Sequence, residues 1–408
     1  MDDQVLVATV FWASLLIVLY TYFGYPSLLF VWTRRRTRPV KKSLSFEPPV
    51  SLLIVAHNEE QVLRRKLENA LELDYPKNRL EFLVASDGST DRTNEVVREF
   101  EDKGVVLLAF PVRRGKASTL NEAVPMCRGE IVVLSDARQV YDREAIRELV
   151  GNFHDPEIGA VTGDLQFCPG AGNVDGEKIG LYWKYEKWIR RFQSAVDSIP
   201  AVTGAIYAIR KSLFRPLPPG SIADDLAMPM NMVMQGYRVV YDSNAKAYDN
   251  FLRTMREEFR KRVRTIAGSY QFLYLAPAVL NPKRNRIWLH FFSHKILRVL
   301  APFFLMALLS ANSALSAWPY RVFLALQLAF YAAAVAGLVL TNQGKGLKIL
   351  SAPSTFLMLN AAACVALFRL VTGTQTHLWE KNTKGITIKA GEDGVRTKGG
   401  APAGMAGL

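Results

Sequence analysis

The chain has 408 residues, enough for two or three structural units, and half of them are hydrophobic. Its net charge of +14 arises mainly from basic residues beside apolar stretches, which is the pattern of a membrane protein and argues against nucleic acid as a partner. Three scattered cysteines exclude a disulfide framework and a zinc site.

The first predicted element is a membrane-spanning helix at residues 7–32. This stretch carries no charged residue, and about 20 apolar residues suffice to cross a bilayer as a helix. The basic cluster RRRTRPVKK at 34–42 follows it, whereas a signal peptide carries its basic residues before the apolar run. We therefore predict that residues 1–44 form a retained anchor and a basic juxtamembrane segment, with the N-terminus outside and residue 34 onward in the cytoplasm.

Residues 45–285 have the composition of a globular domain. Four apolar runs, PVSLLIVA, RLEFLVAS, VVLLAF and EIVVLSD, are each followed by a polar turn, and helical spacing follows the first three turns. Successive strand–turn–helix units with nearly continuous apolar strands predict an α/β domain whose mostly parallel sheet is covered by helices on both faces.

Polar side chains follow these strands, at the edge where open α/β sheets bind ligands. His57, Asn58 and Glu59 follow the first strand, Asp87 ends the second and Asp136 ends the fourth. The glycine-rich turn of dinucleotide-binding folds and the phosphate-binding loop of nucleotide hydrolases are both missing from the sequence. Carboxylates at this edge suit a ribose, a base edge or a divalent cation better than a naked phosphate.

The stretch LSDARQVYD at 134–142 ends the fourth predicted strand. A metal site for a bound phosphate usually has a second carboxylate two positions after the first, and Arg138 occupies that position after Asp136. Three interpretations stay open for Arg138: it pairs with a diphosphate, it shares the neutralising role with one Mg²⁺, or it turns to solvent. The site is best described as a one-carboxylate site whose second ligand comes from elsewhere.

Six segments in this order resemble the family-2 glycosyltransferases with a GT-A fold: VSLLIVAHNEE, LVASDGSTDRT, RRGKASTLNEA, IVVLSDA, VTGAIYAIRK and ADDLAMPMNMVMQGYRVVYD. The likeness covers about 49–270 and is greatest to membrane-embedded enzymes of the hyaluronan, cellulose and chitin synthase type. It implies an inverting transfer of a sugar from a nucleotide-sugar, with a UDP-sugar as the expected donor.

The resemblance also implies roles for single residues on the donor side. Glu59 and Asp87 take the positions that contact the nucleotide, with Asp87 on the base edge, and Lys116 takes a position near the uracil or the diphosphate. Asp136 is the first residue of the D-x-D metal motif and is the expected ligand of Mg²⁺ or Mn²⁺. Such a cation neutralises the leaving diphosphate as a Lewis acid.

On the acceptor side, the resemblance places Thr203, Gly204 and Ala205 against the acceptor. It makes Asp225 the general base at the end of a T-E-D-type motif, with Asp224 in the place of the usual glutamate. The residues alone leave a second interpretation open, because adjacent aspartates at a helix start also serve as an N-cap and its dipole partner.

The segment FRKRVRTIAG at 259–268 takes the place of the Q-x-x-R-W motif of processive relatives. Its arginine is kept as Arg264, a candidate clamp for the diphosphate, while Lys261 and Thr265 replace the glutamine and the tryptophan. Loss of the tryptophan weakens the case for a long polymer, so a single addition to a lipid-linked or short acceptor stays equally open.

Three further spans are predicted at about 296–316, 321–341 and 352–372, within a membrane region of residues 286–375. Residues 376–408 are predicted to be a basic, disordered tail. Alternation of the spans puts this tail outside, whereas its basic residues favour the cytoplasm, and a re-entrant or interfacial segment would resolve the conflict.

Together these features predict a glycosyltransferase in a bacterial or archaeal plasma membrane, with a cytoplasmic catalytic domain. Its expected partners are a nucleotide-sugar, a glycan or polyprenyl-linked acceptor and membrane lipid, and a homo-oligomer or a synthase complex stays open. The alternative is a non-catalytic nucleotide-sugar-binding subunit of a polysaccharide synthase complex, which the altered D-x-D and Q-x-x-R-W motifs would suit.

Overall fold

Strands and short helices alternate between two regions of long apolar helices. A computed structural model describes residues 2–168, 175–250, 255–342 and 347–378. In chain order its helices are α1 (Asp2–Leu19), α2 (Tyr25–Arg35), α3 (Glu60–Leu71), α4 (Thr93–Arg98), α5 (Lys116–Met126), α6 (Ala145–Gly151), α7 (Asp175–Val196), α8 (Asp224–Met234), α9 (Met255–Leu275), α10 (Trp288–Phe291), α11 (Leu297–Ala314), α12 (Trp318–Asn342) and α13 (Lys348–Val371).

The described strands form a sheet in the order β3-β2-β1-β4-β7-β6-β8-β5. They are β1 (Val50–Ala56), β2 (Leu80–Asp87), β3 (Val105–Phe110), β4 (Ile131–Asp136), β5 (Val140–Tyr141), β6 (Ile158–Cys168), β7 (Ile206–Arg210) and β8 (Arg238–Asn250). The four strands predicted from the sequence are β1–β4, and they are parallel to one another. The other half is mixed, because β7 is antiparallel to both β4 and β6, and β5 is antiparallel to β8.

Helices cover both faces of the sheet, as the sequence predicts. One apolar layer joins the sheet to α3, α4 and α6, with Leu63, Val97 and Leu149 fully buried. The other joins it to α5 and α8 through Leu120 and Met230. Burial of every residue of β1 explains why this strand is apolar without alternation.

Four helices in the described residues are long and apolar enough to cross a membrane: Asp3–Arg35, Trp288–Ala314, Trp318–Thr341 and Ile349–Val371. They coincide with the four predicted spans. The first and second each contain one π-helical turn, at Tyr20–Gly24 and Phe292–Ile296. These turns meet where the Tyr20 hydroxyl lies 2.8 Å from the Ser293 hydroxyl.

Polar contacts tie the membrane helices to the α/β domain. The Tyr25 hydroxyl lies 3.0 Å from His290 Nδ1 and accepts a 2.7 Å hydrogen bond from Gln193 of α7. On another side, Val263 and Ala267 of α9 pack against α13. The predicted tail lies outside the described residues from residue 379 onward.

Candidate active site

A cavity of about 990 Å³ opens beyond the carboxyl ends of β1 and β4 and beside the first turn of α8. Parallel strands deliver the residues that follow them to one edge of a sheet, which is why side chains distant in sequence meet there. Every site residue predicted from the sequence lines this cavity except Asp87.

Lys116 lies between two carboxylates at one end of the cavity, which we call the donor end. It is the first residue of α5, and its Nζ lies 2.9 Å from Asp136 Oδ1 and 3.4 Å from Asp224 Oδ2. Burial disfavours its charge, but Asp136 and Asp224 outweigh burial and raise the pKa of Lys116 well above its ordinary value. Gly204 faces the same ammonium, since a Cβ built on it would lie 3.6 Å from Lys116 Nζ.

Asp136 ends β4 and keeps 43% of its side chain exposed. Burial disfavours the charged carboxylate, but Lys116 and then Arg138 outweigh burial and lower the pKa of Asp136. Half-buried Arg138 lines the donor end, so it does not simply turn away from the cavity. This end therefore has an ionised carboxylate among cations, a charge distribution that suits a diphosphate.

Asp87 is fully buried and lies behind the loop that carries Lys116. Its Oδ1 accepts a hydrogen bond from the Arg114 backbone N–H and its Oδ2 accepts one from the Gly115 N–H, both at 2.8 Å. Gly115 has a φ of +92°, a region that favours glycine. Asp87 thus fixes the backbone that delivers Lys116 to the donor end.

Asp225 lines the cavity in the first turn of α8. Burial and the neighbouring charge of Asp224 raise its pKa, while Lys295 and Lys116 act in the opposite direction. A carboxylate of raised pKa facing a cavity has the properties of a general base. Its backbone C=O accepts a 2.9 Å hydrogen bond from Val202, which ties α8 to the Thr203–Ala205 turn.

That turn is held from both sides. The Thr203 N–H donates to Thr162 Oγ1 at 2.9 Å, and the Thr203 hydroxyl accepts a 2.6 Å hydrogen bond from Arg190 Nη1. The Ala205 C=O accepts a 2.9 Å hydrogen bond from the Tyr141 hydroxyl. The three predicted acceptor residues therefore form a fixed wall of the cavity.

Glu59 and Arg264 complete the predicted set. Glu59 immediately precedes α3 and donates its backbone N–H to Thr93 Oγ1 at 2.8 Å. Arg264 projects from α9, and its buried Nε has no hydrogen-bond partner among the described residues. Such an N–H is suited to an anionic ligand.

The residues at the donor end fit a divalent cation that is shared with a ligand. No group of three potential ligand side chains occurs within the described ranges. Asp136 supplies a carboxylate, and Mg²⁺ commonly takes only one or two carboxylates together with phosphate oxygens and water. These ligands thus match a cation that is held jointly by Asp136 and a diphosphate.

Helix α7 forms part of the cavity wall, although its sequence favours an interfacial helix over a platform for sugars. Trp183, Tyr185, Glu186 and Arg190 of this helix line the cavity, whereas the pattern of tryptophans and basic residues suggests a helix lying on the membrane. The spacing of Glu186 and Arg190, four residues apart on one helical face, was the available signal.

Comparison with known proteins agrees with this architecture. Residues 51–217 match the family model described as Glycosyl transferase family 2. The probable glycosyltransferase YdaM of Bacillus subtilis (strain 168) is 30% identical over 259 residues, which are 59% of this chain and 60% of that protein. The poly-beta-1,6-N-acetyl-D-glucosamine synthase of Staphylococcus aureus (strain COL) is 26% identical over 250 residues, 58% of this chain and 60% of that protein. The chain thus matches about 60% of the length of these relatives.

A solved structure shares the fold over most of its length. The mannosyltransferase PcManGT from Pyrobaculum calidifontis, in complex with GDP-Man and Mn²⁺, superposes with a TM-score of 0.69 at 23% identity. The superposition covers 88% of this chain and 98% of that one. It confirms the predicted GT-A fold.

Proposed function

We propose that the protein is an inverting transferase that moves a sugar from a nucleotide-sugar to a glycan or lipid-linked acceptor at the membrane, because residues 51–217 match the family model described as Glycosyl transferase family 2. The observation that carries this proposal is the position of Asp225. It is a carboxylate of raised pKa in the same cavity as the Lys116–Asp136 ion pair.

The donor, which we take to be a UDP-sugar, binds at the donor end. Lys116, Arg138 and Arg264 attract its diphosphate, and Glu59 contacts the nucleoside. Asp136 would hold Mg²⁺ or Mn²⁺ together with phosphate oxygens, and this cation would supply Lewis-acid neutralisation of the leaving group. The neighbour solved with GDP-Man and Mn²⁺ supports a nucleotide-sugar and a divalent cation for this fold.

Transfer follows from the position of Asp225. As an acceptor hydroxyl oxygen bonds to the anomeric carbon, its proton passes to the Asp225 carboxylate. The bond from that carbon to the donor phosphate oxygen breaks, and its electron pair leaves with the diphosphate. The Thr203–Ala205 turn orients the acceptor, and Asp224 keeps the pKa of Asp225 raised.

Asp87 acts indirectly rather than by contacting the edge of the nucleotide base, because its carboxylate holds the loop that carries Lys116. At the scale of the whole chain, residues 1–44 anchor the protein, 45–285 form a cytoplasmic catalytic domain, 286–375 complete the membrane region and 376–408 form a tail. The site of action is the inner face of a bacterial or archaeal plasma membrane. Four apolar helices and the basic segment after the first of them support this arrangement.

The test is turnover by the purified full chain with a panel of UDP- and GDP-sugars and Mg²⁺ or Mn²⁺. We expect Asp225→Asn to lose about 10²- to 10⁴-fold in kcat, the usual contribution of a general base, while the donor Kd changes by only a few-fold. Asp102→Asn, at an exposed carboxylate outside the cavity, is the matched control. Unchanged turnover in Asp225→Asn contradicts the general-base role. Donor binding without any turnover points instead to a nucleotide-sugar-binding subunit.

A further inference from the structure

The cavity has a second end, between α7 and the membrane helices, which we call the membrane end. Its wall includes Tyr22 from the first membrane helix, Val299 from α11, and Phe356 and Leu359 from α13. These side chains are apolar or aromatic and come from helices long enough to cross a bilayer. A ligand at this end therefore meets a surface that suits a lipid.

A buried ionic cluster lies in the same part of the cavity. Glu186 of α7 has its Oε2 2.8 Å from Arg298 Nη1 and its Oε1 3.1 Å from His294 Nε2. Arg190, one turn later on α7, lies 3.6 Å from the same carboxylate. Glu186 and His294 are almost completely buried, so this cluster lies away from bulk solvent.

Cations exceed carboxylates in this cluster. Arg190, Lys295 and Arg298 face the single carboxylate Glu186, and counting Asp225 as ionised still leaves three positive charges against two negative ones. Lys295 makes no hydrogen bond or ion pair with any other residue in the part of the chain that the structure describes. Buried charge of one sign without a counter-ion is unfavourable, and this favours the binding of an anion.

Hydrogen-bond donors on the guanidinium of Arg298 that are unpaired within the described part of the chain also favour the binding of an anion. Its Nη1 donates to Glu186, but its buried Nε and Nη2 have no hydrogen-bond partner among the described residues. Buried donors are normally paired, and a planar guanidinium fork is well matched to phosphate oxygens. A neutral glycan would leave the excess charge uncompensated.

Asp225 lines the cavity that both ends share. Its pKa responds to Lys116 of the donor end and also to Lys295 and Arg190 of the membrane end. A sugar hydroxyl presented from the membrane end thus meets the carboxylate that faces the donor.

We propose that the acceptor is a sugar joined through a phosphate or diphosphate to a lipid, with the phosphate held by Lys295 and Arg298 and the lipid chain lying against α11 and α13. This assignment rests on the proposed function and names its acceptor. The carrier phosphate stays intact in the reaction, because transfer occurs at a hydroxyl of the attached sugar.

The first test uses the unaltered full chain in nanodiscs with a labelled nucleotide-sugar. Three acceptors carry the same sugar: a polyprenyl-diphosphate-linked sugar, the neutral glycoside of the same polyprenol, and the soluble glycosyl phosphate. We expect kcat/KM for the first to exceed that for either of the others at least tenfold. Equal use of the neutral glycolipid overturns phosphate recognition, and equal use of the soluble glycosyl phosphate overturns the lipid.

The second test compares Lys295→Gln with Lys283→Gln, a control at an exposed lysine outside the cavity. Lys295 has no described partner to leave unpaired, so this change avoids the folding risk of altering Arg298. We expect the ratio of transfer to donor hydrolysis to fall about tenfold, the effect of one lost charge-assisted contact, mainly through a higher KM for the phosphorylated lipid. Lys295→Arg should restore that KM.

Hydrolysis of the nucleotide-sugar distinguishes the proposed function from the acceptor assignment. Water as the acceptor needs Asp225 but does not need a phosphate site. A parallel fall of hydrolysis and transfer in Lys295→Gln means that Lys295 acts only through Asp225, which overturns the acceptor assignment alone. Donor hydrolysis without preference for the phosphorylated lipid does the same. Absence of any turnover overturns the proposed function and the acceptor assignment together.

Discussion

Substitution of Asp87 distinguishes a structural role of its carboxylate from direct contact with a ligand. Its fully buried carboxylate accepts two backbone hydrogen bonds at 2.8 Å, from Arg114 and Gly115. Asp87→Asn keeps the shape and one acceptor oxygen but turns an NH₂ group toward the second backbone N–H. One charge-assisted hydrogen bond is lost, the other becomes a neutral hydrogen bond, and the backbone N–H and the new NH₂ group face each other without an acceptor.

The size of the effect follows from those two bonds. A hydrogen bond to a charged group contributes about 1.5–3 kcal/mol, and a buried donor without a partner costs about 1–3 kcal/mol. Because these two contributions overlap, we expect the free energy of unfolding to fall by about 2–4 kcal/mol. For a domain of this size that corresponds to a loss of about 5–15 °C in Tm. Since Gly115 precedes Lys116, the donor KM should also rise.

The assay is thermal unfolding of the full chain followed by tryptophan fluorescence, alongside the donor KM. Asp102→Asn, which removes an exposed carboxylate, should leave both close to the values of the unaltered protein. An unchanged Tm in Asp87→Asn combined with altered discrimination between UDP- and GDP-sugars refutes this reasoning. That result would place Asp87 on the base edge, as the family resemblance implies.

Three further outcomes follow from the charges of the site. Asp224→Asn removes a charge that raises the pKa of Asp225, so the acidic limb of the pH–rate profile, where the base becomes protonated, should move to lower pH; a shift to higher pH contradicts this. The pKa of Asp225 in the folded state is raised above its unfolded value of about 3.9, so ionisation of Asp225 destabilises the protein as the pH rises from the unfolded pKa through the folded pKa. Asp225→Asn should therefore have a higher Tm than the unaltered protein at pH 7 and should lose that advantage below about pH 4. Asp136→Ala should abolish the activation of residual turnover by titrated Mn²⁺, and an unaltered metal titration would remove Asp136 from the metal site.

The donor end was predictable because it depends on local patterns and one topological rule. Continuous apolar runs identified β1–β4, and residues that follow parallel strands meet at one edge of a sheet. This rule alone, without any family likeness, locates Glu59 and Asp136 at the edge that forms the site. The antiparallel insertion of β7 between β4 and β6 escaped prediction, because strand direction depends on distant pairing rather than on local periodicity.

The membrane end was not predictable from local patterns. Glu186 meets His294 and Arg298 across more than a hundred residues of sequence, and no spacing rule connects them. In isolation, α7 has the aromatic and basic composition of a helix that lies on a bilayer. Asp87 illustrates a related limit, because the strand end was identified while the two backbone partners that occupy its carboxylate depend on the tertiary path of residues 111–115.

The π-helical turn at Phe292–Ile296 affects how the two halves of its helix face their neighbours. An α-helix advances by about 100° per residue, so one residue more or less rotates everything beyond it by that angle, whereas a π turn accommodates one additional residue with little rotation of the helix beyond it. Deleting one residue from α10 would hardly change the hydropathy of the span, yet it would turn the preceding part of the helix by about 100° relative to Arg298, whereas a deletion within the π turn would largely preserve the facing of Arg298 toward Glu186. The angular phase between the two halves of this helix is therefore encoded by the number of residues, independently of how apolar they are.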